Sequence, residues 1–138
     1  MKTVYLGMAL KGTPAWWHGT FQECVRKEFE SFSNYEVAKF VGLTGAEPRD
    51  IYNTDINLAK SADVMVALTR IPSTGLGMEI QSRIDLGKPT ILCHPEGEPL
   101  SSMVLGAPHI SVVYYPNEDI DGAAAATYIV KELQNHLD

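Results

Sequence analysis

The sequence has little positive charge and little cysteine. Its 138 residues carry 11 lysines and arginines against 17 aspartates and glutamates, which gives a formal net charge of −6. A chain without a basic excess is poorly suited to bind a polynucleotide or an anionic membrane, so any phosphate it recognises is expected on a small molecule. Its two cysteines, Cys24 and Cys93, stand far apart and outside any CxxC pattern or Cys/His cluster. We therefore expect buried thiols rather than a disulfide framework or a zinc site.

Long apolar runs are also absent. The opening segment MKTVYLGMAL is too short to span a bilayer and lacks a small-residue cleavage site, which predicts a cytoplasmic protein. The four histidines have no metal-ligand spacing, so we expect neither a metal nor an organic cofactor. With 45% hydrophobic residues, the chain can bury a core of its own, and residues 1–138 are predicted to form one domain.

Short apolar runs alternate with segments of helical periodicity. The runs that resemble strands are residues 3–9, 35–42, 63–68, 89–94 and 110–115. The helical patterns cover residues 17–33, 52–62, 76–87 and 119–137. Strands separated by helices indicate βαβ units, in which helices cover both faces of a parallel sheet. We predict a three-layer α/β/α sandwich, flavodoxin-like or Rossmann-like, with a five-stranded, mostly parallel sheet.

In such folds, ligands bind where the carboxyl ends of the strands meet the following loops. The first of these loops, GMALKGT, spaces Gly7 and Gly12 as a P-loop does. A P-loop places its lysine after the second glycine, whereas Lys11 precedes Gly12 here, so we exclude a P-loop. Lys11 remains a candidate for contact with an anion, the alternative being a solvated loop lysine.

The segment PSTGLGMEI, which follows the third predicted strand, is more informative. Gly75 and Gly77 allow close approach of a ligand to the backbone, and Ser73 offers a hydroxyl near a helix N-terminus. These features suit a phosphate. Glu79 follows them, and one explanation of this carboxylate is that it complements the helix dipole from the first turn.

A second carboxylate, Asp55, lies in YNTDINLAKSAD, at the start of the predicted helix 52–62. Asn53 or Thr54 can cap that helix without it. We expect Asp55 and Glu79 to approach one crevice. Such a pair suits glycosyl transfer, in which one carboxylate attacks the anomeric carbon and the other handles protons or the leaving group.

Residues 52–107, together with the opening VYLG, resemble the nucleoside 2-deoxyribosyltransferase superfamily. In that superfamily an aspartate eight residues before the "AD" that opens a strand is followed by GLGME, and this chain has both features. The resemblance implies that Glu79 is the nucleophile, that Asp55 assists the leaving base and that Tyr5 positions the glutamate. It also implies a dimer or larger homo-oligomer, in which Ser101 and Met103 of the segment PLSSMVLGA reach a neighbouring subunit's pocket.

Two activities compete within this superfamily. The deoxyribosyltransferases typically carry Asp and Asn at the positions that match Ser73 and Ser101, whereas the deoxynucleoside 5′-monophosphate N-glycosidases show PSxGxGxE and LSxM, as this chain does. A serine donates to a phosphate oxygen without adding negative charge, so the pattern favours a nucleotide. Against it, the glycosidases carry a serine and an arginine in the first loop, where this chain has Ala9 and Lys11.

We therefore predict hydrolysis of the N-glycosidic bond of a (2′-deoxy)nucleoside 5′-monophosphate through a covalent glycosyl-glutamate. Gly7, Lys11, Ser73, Gly75 and Gly77 would bind the substrate with Ser101 and Met103. The alternative is a nucleoside 2-deoxyribosyltransferase that exchanges bases between deoxynucleosides. A third possibility is a nucleotide-binding domain without catalysis, but such a domain has no need of a positioned nucleophile.

Overall fold

A computed structural model gives the architecture of the protein. The structure describes residues 2–8, 23, 27, 35–37, 47–116, 127–128 and 130–132. Within these ranges, no helix combines the length and apolar character that crossing a membrane requires.

The centre of the fold is a five-stranded sheet in the order β2-β1-β3-β4-β5, and every neighbouring pair is parallel. Its strands are β1 (Lys2–Met8), β2 (Tyr35–Val37), β3 (Val64–Leu68), β4 (Thr90–Pro95) and β5 (Ile110–Tyr115). The five-stranded parallel sheet was predicted and is confirmed, although residues 38–42 of the second predicted strand lie outside the described residues. Because the strand order reverses between β1 and β3, their carboxyl ends flank the switch point at which ligands bind in open α/β sheets.

The described helices are α1 (Pro48–Ser61), α2 (Thr74–Asp85) and the single-turn α3 (Ser102–Leu105). Helices α1 and α2 pack against each other and against β1. Glu23 and Lys27 are helical and form an exposed i,i+4 ion pair with 3.2 Å between Nζ and Oε1, within the predicted helix 17–33. Residues 127–128 and 130–132 are helical as well, within the predicted helix 119–137.

The core lies around the two central strands β3 and β4. Every residue of both strands is buried, as expected for parallel strands covered on both faces. Cys93 is a buried thiol, as predicted, whereas Cys24 lies outside the described residues. The apolar run VMVAL therefore identified β3 because both of its faces need apolar side chains.

The start of α1 differs from the prediction. The helix begins at Pro48 with Glu47 as the N-cap, four residues before the predicted start, so Asn53 and Thr54 are not caps. Proline is well suited to the first helical position because its fixed φ matches the helix and its missing N–H would be unpaired there anyway. Asp55 consequently lies in the middle of α1, where helix capping does not explain it.

The start of α2 was also predicted too late. Ser73 caps this helix, and its Oγ accepts a hydrogen bond of 3.2 Å from the Leu76 N–H. The Gly77 N–H donates to the Ser73 carbonyl at 3.1 Å, so the helix N-terminus lies at Thr74 and not at Gly77. Glu79 therefore stands in the second turn, and the first turn contains no acidic residue. The explanation of Glu79 as a first-turn dipole partner is wrong.

Candidate active site

A cleft between α1 and α2 brings the two predicted carboxylates together. Its volume is about 280 Å³, and Asp55 and Glu79 both line it. The remaining lining residues are Pro48, Ile51, Tyr52, Ile56, Gly75 and Met78. The wall is thus mainly apolar, and two carboxylates face one space within it.

Tyr5 forms a hydrogen bond with Glu79. The Tyr5 side chain is buried on the central strand β1, and its phenol is hydrogen-bonded to the Glu79 carboxylate. Burial raises the pKa of Tyr5 strongly, and the neighbouring carboxylates of Glu79 and Asp55 raise it further. The phenol therefore stays protonated at all physiological pH values and acts as a hydrogen-bond donor that fixes the glutamate.

Glu79 has an altered acidity. Burial raises the pKa of Glu79 from 4.5 to about 7; the Tyr5 hydrogen bond opposes this shift and the Asp55 carboxylate adds to it. The pKa of Asp55 is also raised, by burial. A carboxylate that titrates near neutral pH and is incompletely solvated has the properties of an activated nucleophile or proton carrier.

Glu79 Oε2 is buried and has no hydrogen-bond partner among the described residues. Buried polar atoms without partners are rare in folded proteins, and they are frequently retained for function. Gly7 makes room for this oxygen, because a Cβ atom at Gly7 would lie 3.1 Å from Glu79 Oε2 and 2.6 Å from Met65 Cε. The glycine in VYLG thus has a steric role beside the glutamate.

The predicted phosphate contacts lie at the start of α2. Ser73 uses Oγ as an acceptor in its cap, so its hydroxyl proton can be donated to a ligand. The N–H groups of Thr74 and Gly75 have no acceptor within the helix, as is usual at a helix start. Gly75 also lines the cleft. Gly77 does not line it, and its N–H is bonded to Ser73, so its predicted contact with a ligand stays a prediction.

Ser101 and Met103 lie on a different part of the surface. Both are exposed, and the Met103 side chain is 87% exposed on the single-turn helix α3. Leu100 and Val104, which flank them, pack against the hydrophobic core. The segment is thus anchored on the core, Ser101 and Met103 are exposed, and neither lines the cleft.

The apolar cleft wall was not predicted. Ile51, Tyr52 and Met78 are all exposed hydrophobic residues beside the carboxylates. Tyr52 and Asp55 are three residues apart on α1, so they share a helix face; the predicted helix 52–62 contained both, whereas Ile51 lay before its predicted start. Lys11, Trp16 and Trp17 lie outside the described residues. Within those residues, no group of three or more His, Cys, Asp or Glu side chains could hold a metal ion.

Comparison with known proteins shows which sequences this chain is similar to. A protein of Methanosarcina mazei, provisionally named 2′-deoxynucleoside 5′-phosphate N-hydrolase 1, is 34% identical over 73 residues, which cover 51% of this chain and 45% of that protein. The 5-hydroxymethyl-dUMP N-hydrolase of Rattus norvegicus is 45% identical over 60 residues, covering 41% of this chain and 36% of the rat protein. The chain spans about half the length of the first curated relatives it matches, 45% and 57%. No family model matches it.

Two solved structures share the fold. The CMP N-glycosidase of Clostridium botulinum has a TM-score of 0.69 at 21% identity, over 98% of this chain and 99% of that one. The 2-deoxyribosyltransferase of Bacillus psychrosaccharolyticus has a TM-score of 0.59 at 21% identity, over 89% and 95%. The predicted resemblance is therefore borne out as similarity: the curated relatives are named as nucleoside 5′-phosphate N-hydrolases, and the two solved structures share the fold.

Proposed function

We propose that this protein hydrolyses the N-glycosidic bond of a (2′-deoxy)nucleoside 5′-monophosphate and releases a free base and a sugar 5-phosphate. The observation that carries this proposal is the half-buried Glu79 carboxylate, which is held by the Tyr5 phenol, has a buried Oε2 without a partner among the described residues, and faces a cleft shared with Asp55. A domain that only bound nucleotides would gain nothing from an unpartnered buried oxygen.

The reaction proceeds in two displacements. In the first, a Glu79 carboxylate oxygen bonds to C1′ through an oxocarbenium-like transition state, and the bond from C1′ to the base nitrogen breaks. Asp55, whose pKa is raised by burial, provides a proton to the departing base. In the second, water attacks C1′, its proton passes to a carboxylate in the cleft, and Glu79 is released.

The apolar wall of the cleft is suited to the nucleobase. Tyr52 and Met78 each leave about half of their side chain exposed at the rim, 50% and 48%. An aromatic ring and a polarisable thioether provide flat, apolar contact to a planar base. A base placed there has its leaving nitrogen beside Asp55, because Asp55 lies one helical turn from Tyr52.

The phosphate site is built from the start of α2. Ser73 can donate its hydroxyl proton, and the N–H groups of Thr74 and Gly75 can donate to the remaining phosphate oxygens. Lys11 adds positive charge, and Ser101 and Met103 complete the pocket from a neighbouring copy of the chain. The 87% exposure of Met103 supports this homo-oligomer, because burial against a second copy would remove a large apolar side chain from water. We place the activity in the cytoplasm.

The decisive experiment compares a deoxynucleoside 5′-monophosphate with its deoxynucleoside, using chromatography to detect the free base. The unmodified protein should use the nucleotide with a kcat/KM at least about tenfold higher, because charge-assisted contacts to phosphate contribute about 1.5–3 kcal/mol each. Ser73→Asp should reverse the preference, since a fixed carboxylate repels a phosphate dianion. Ser61→Asp, which adds the same charge at the exposed end of α1, should leave it unaltered.

Preferred use of the nucleoside would contradict the proposal. If an added base then became attached to the sugar, the activity would be that of a nucleoside 2-deoxyribosyltransferase, which shares the first displacement but replaces water with a second base.

A further inference from the structure

His94 is a buried polar residue at the carboxyl end of β4 that the proposed mechanism does not use. Only 1% of its surface is exposed, and both of its ring nitrogens have hydrogen-bond partners. Nδ1 lies 2.8 Å from Thr69 Oγ1, and Nε2 lies 3.1 Å from the Glu98 carbonyl oxygen. A buried strand position of this kind is usually apolar, so the two hydrogen bonds call for an explanation.

The partners determine which nitrogen carries the proton. A carbonyl oxygen can only accept, so Nε2 donates to Glu98, and Nδ1 of the neutral ring accepts from the Thr69 hydroxyl. The Cys93 carbonyl accepts the Thr69 N–H at 3.1 Å and lies within donating distance of the Thr69 hydroxyl, at 3.3 Å; the contact of that hydroxyl with Nδ1, at 2.8 Å, is shorter. The Tyr114 ring packs edge-on to the imidazole. The two ring centroids are 6.4 Å apart and the angle between the ring planes is 82°.

These bonds connect two loops at the carboxyl edge of the sheet. Thr69 opens the β3–α2 loop (residues 69–73), which ends at Ser73, and Glu98 lies in the β4–α3 loop (residues 96–101), which ends at Ser101. Gly97 has a φ of +80° in the tight turn that the Glu98 N–H closes on the Pro95 carbonyl at 3.4 Å. The imidazole thus joins the first part of one serine-bearing loop to the turn that begins the other.

We infer that His94 is a positioning residue for recognition of the substrate's phosphate, acting through Thr69 on Ser73 and through Glu98 on Ser101. This inference rests on the proposed function, which gives both serines a phosphate contact. In a homo-oligomer, one imidazole then positions two serines: Ser73 in the site of its own chain and Ser101, which reaches the site of the neighbouring chain. The N–H groups of Thr74 and Gly75 also contact the phosphate in the proposed function, so loss of the connection weakens phosphate recognition without abolishing it.

Four variants separate the two halves of the connection. His94→Phe keeps a ring but removes both hydrogen bonds. His94→Asn places a polar atom near the Nδ1 position and retains the Thr69 side, whereas His94→Gln places its amide near Nε2 and retains the Glu98 side. Thr69→Val removes the hydroxyl alone. The readout is kcat and KM for a deoxynucleoside 5′-monophosphate and for its deoxynucleoside, with thermal unfolding measured in parallel.

His94→Phe should raise the KM for the nucleotide about tenfold, with a kcat change under about threefold, and should lower the nucleotide preference by a similar factor. His94→Asn, His94→Gln and Thr69→Val should each lose part of that preference. The matched control is Ile91→Val, which removes a methylene from a fully buried residue of the same strand. It should lower stability but leave the preference unchanged.

Two outcomes would overturn the inference. If the unmodified protein hydrolyses the nucleotide but His94→Phe retains the full nucleotide preference, or loses both activities in parallel as unfolding proceeds, His94 is structural only and the proposed function stands. If the unmodified protein releases no base from either compound, the proposed function fails and the inference fails with it.

Discussion

Helix α2 carries two charged side chains one turn apart, the half-buried Glu79 and the buried Arg83, and their surroundings differ. Arg83 is fully buried, and its terminal nitrogens donate to the backbone carbonyls of Ala59, Ala62, Asp63 and Pro89. Glu79 has one phenol partner and an orphan oxygen. Burial lowers the pKa of Arg83 to about 10, which leaves it charged, whereas burial brings Glu79 to about 7. Arg83 Nε also lacks a partner among the described residues, but four carbonyl acceptors compensate the guanidinium charge, whereas the Glu79 carboxylate has one phenol donor and faces the cleft.

The largest expected effect is on kcat and follows from removing the Glu79 carboxylate. Glu79→Gln should lower kcat for base release by at least about a thousandfold, or about 4 kcal/mol of barrier, because an amide cannot form the glycosyl intermediate. Its free energy of unfolding at pH 8 should equal or exceed that of the unmodified protein, since a poorly solvated carboxylate is gone. Single-turnover assays and urea unfolding measure the two effects. Turnover within tenfold of the unmodified protein would remove Glu79 as nucleophile.

The opposite result is expected at Arg83. Arg83→Met should lower the free energy of unfolding by about 3 kcal/mol, because four carbonyls lose a buried donor. The kcat of the folded fraction should change less than about threefold, since the guanidinium faces the backbone at the ends of α1 and β3 and not the cleft. Gln81→Ala, which removes an exposed i,i+4 hydrogen bond on the same helix, is the matched control and should cost under about 0.5 kcal/mol. Equal losses in the two variants would contradict the structural role of Arg83.

A third effect concerns pH. Because the pKa of Glu79 is raised on folding, from 4.5 to about 7, its contribution to stability is complete below pH 4.5 and is lost as the pH rises through 7. Over that window the unmodified protein should lose about 2 kcal/mol relative to Glu79→Gln, less than full linkage gives because the side chain is partly exposed. Urea unfolding at pH 4.5, 6 and 8 measures the difference between the two proteins. A constant difference would show that the Glu79 pKa is the same in the folded and unfolded chains.

The smallest effect separates the two causes of that shift. Asp55→Asn should lower the pKa of Glu79, because the like charge of Asp55 raises it, but by less than about one unit because burial is the larger cause. Carbon NMR titration of the Glu79 carboxyl measures this directly. An unchanged or higher pKa would mean that Asp55 does not act on Glu79 through charge.

The strands were predictable from sequence because central parallel strands need apolar side chains on both faces, as VMVAL and TILCHP show. Asp55 and Glu79 were identified by their spacing, yet both helix starts were placed too late. Pro48 lies before the predicted helix 52–62, although proline suits the first turn of a helix. The buried roles of Arg83 and His94 were not predicted from the sequence. Their partners are backbone carbonyls and a hydroxyl, which come near only in the folded chain.

The pairing of β1 with β3 also has a consequence for the order of folding. Tyr5 pairs with Met65 across a segment of about 60 residues, so forming this contact carries a substantial loop-closure cost in the unfolded chain. Tyr5 meets Glu79 only after that closure, so a partly folded chain that contains β3, β4 and α2 alone has the proposed nucleophile without its phenol. Catalytic activity therefore reports the docking of the N-terminal strand. A bound nucleotide should slow amide hydrogen exchange in β1 more than in the distant edge strand β5.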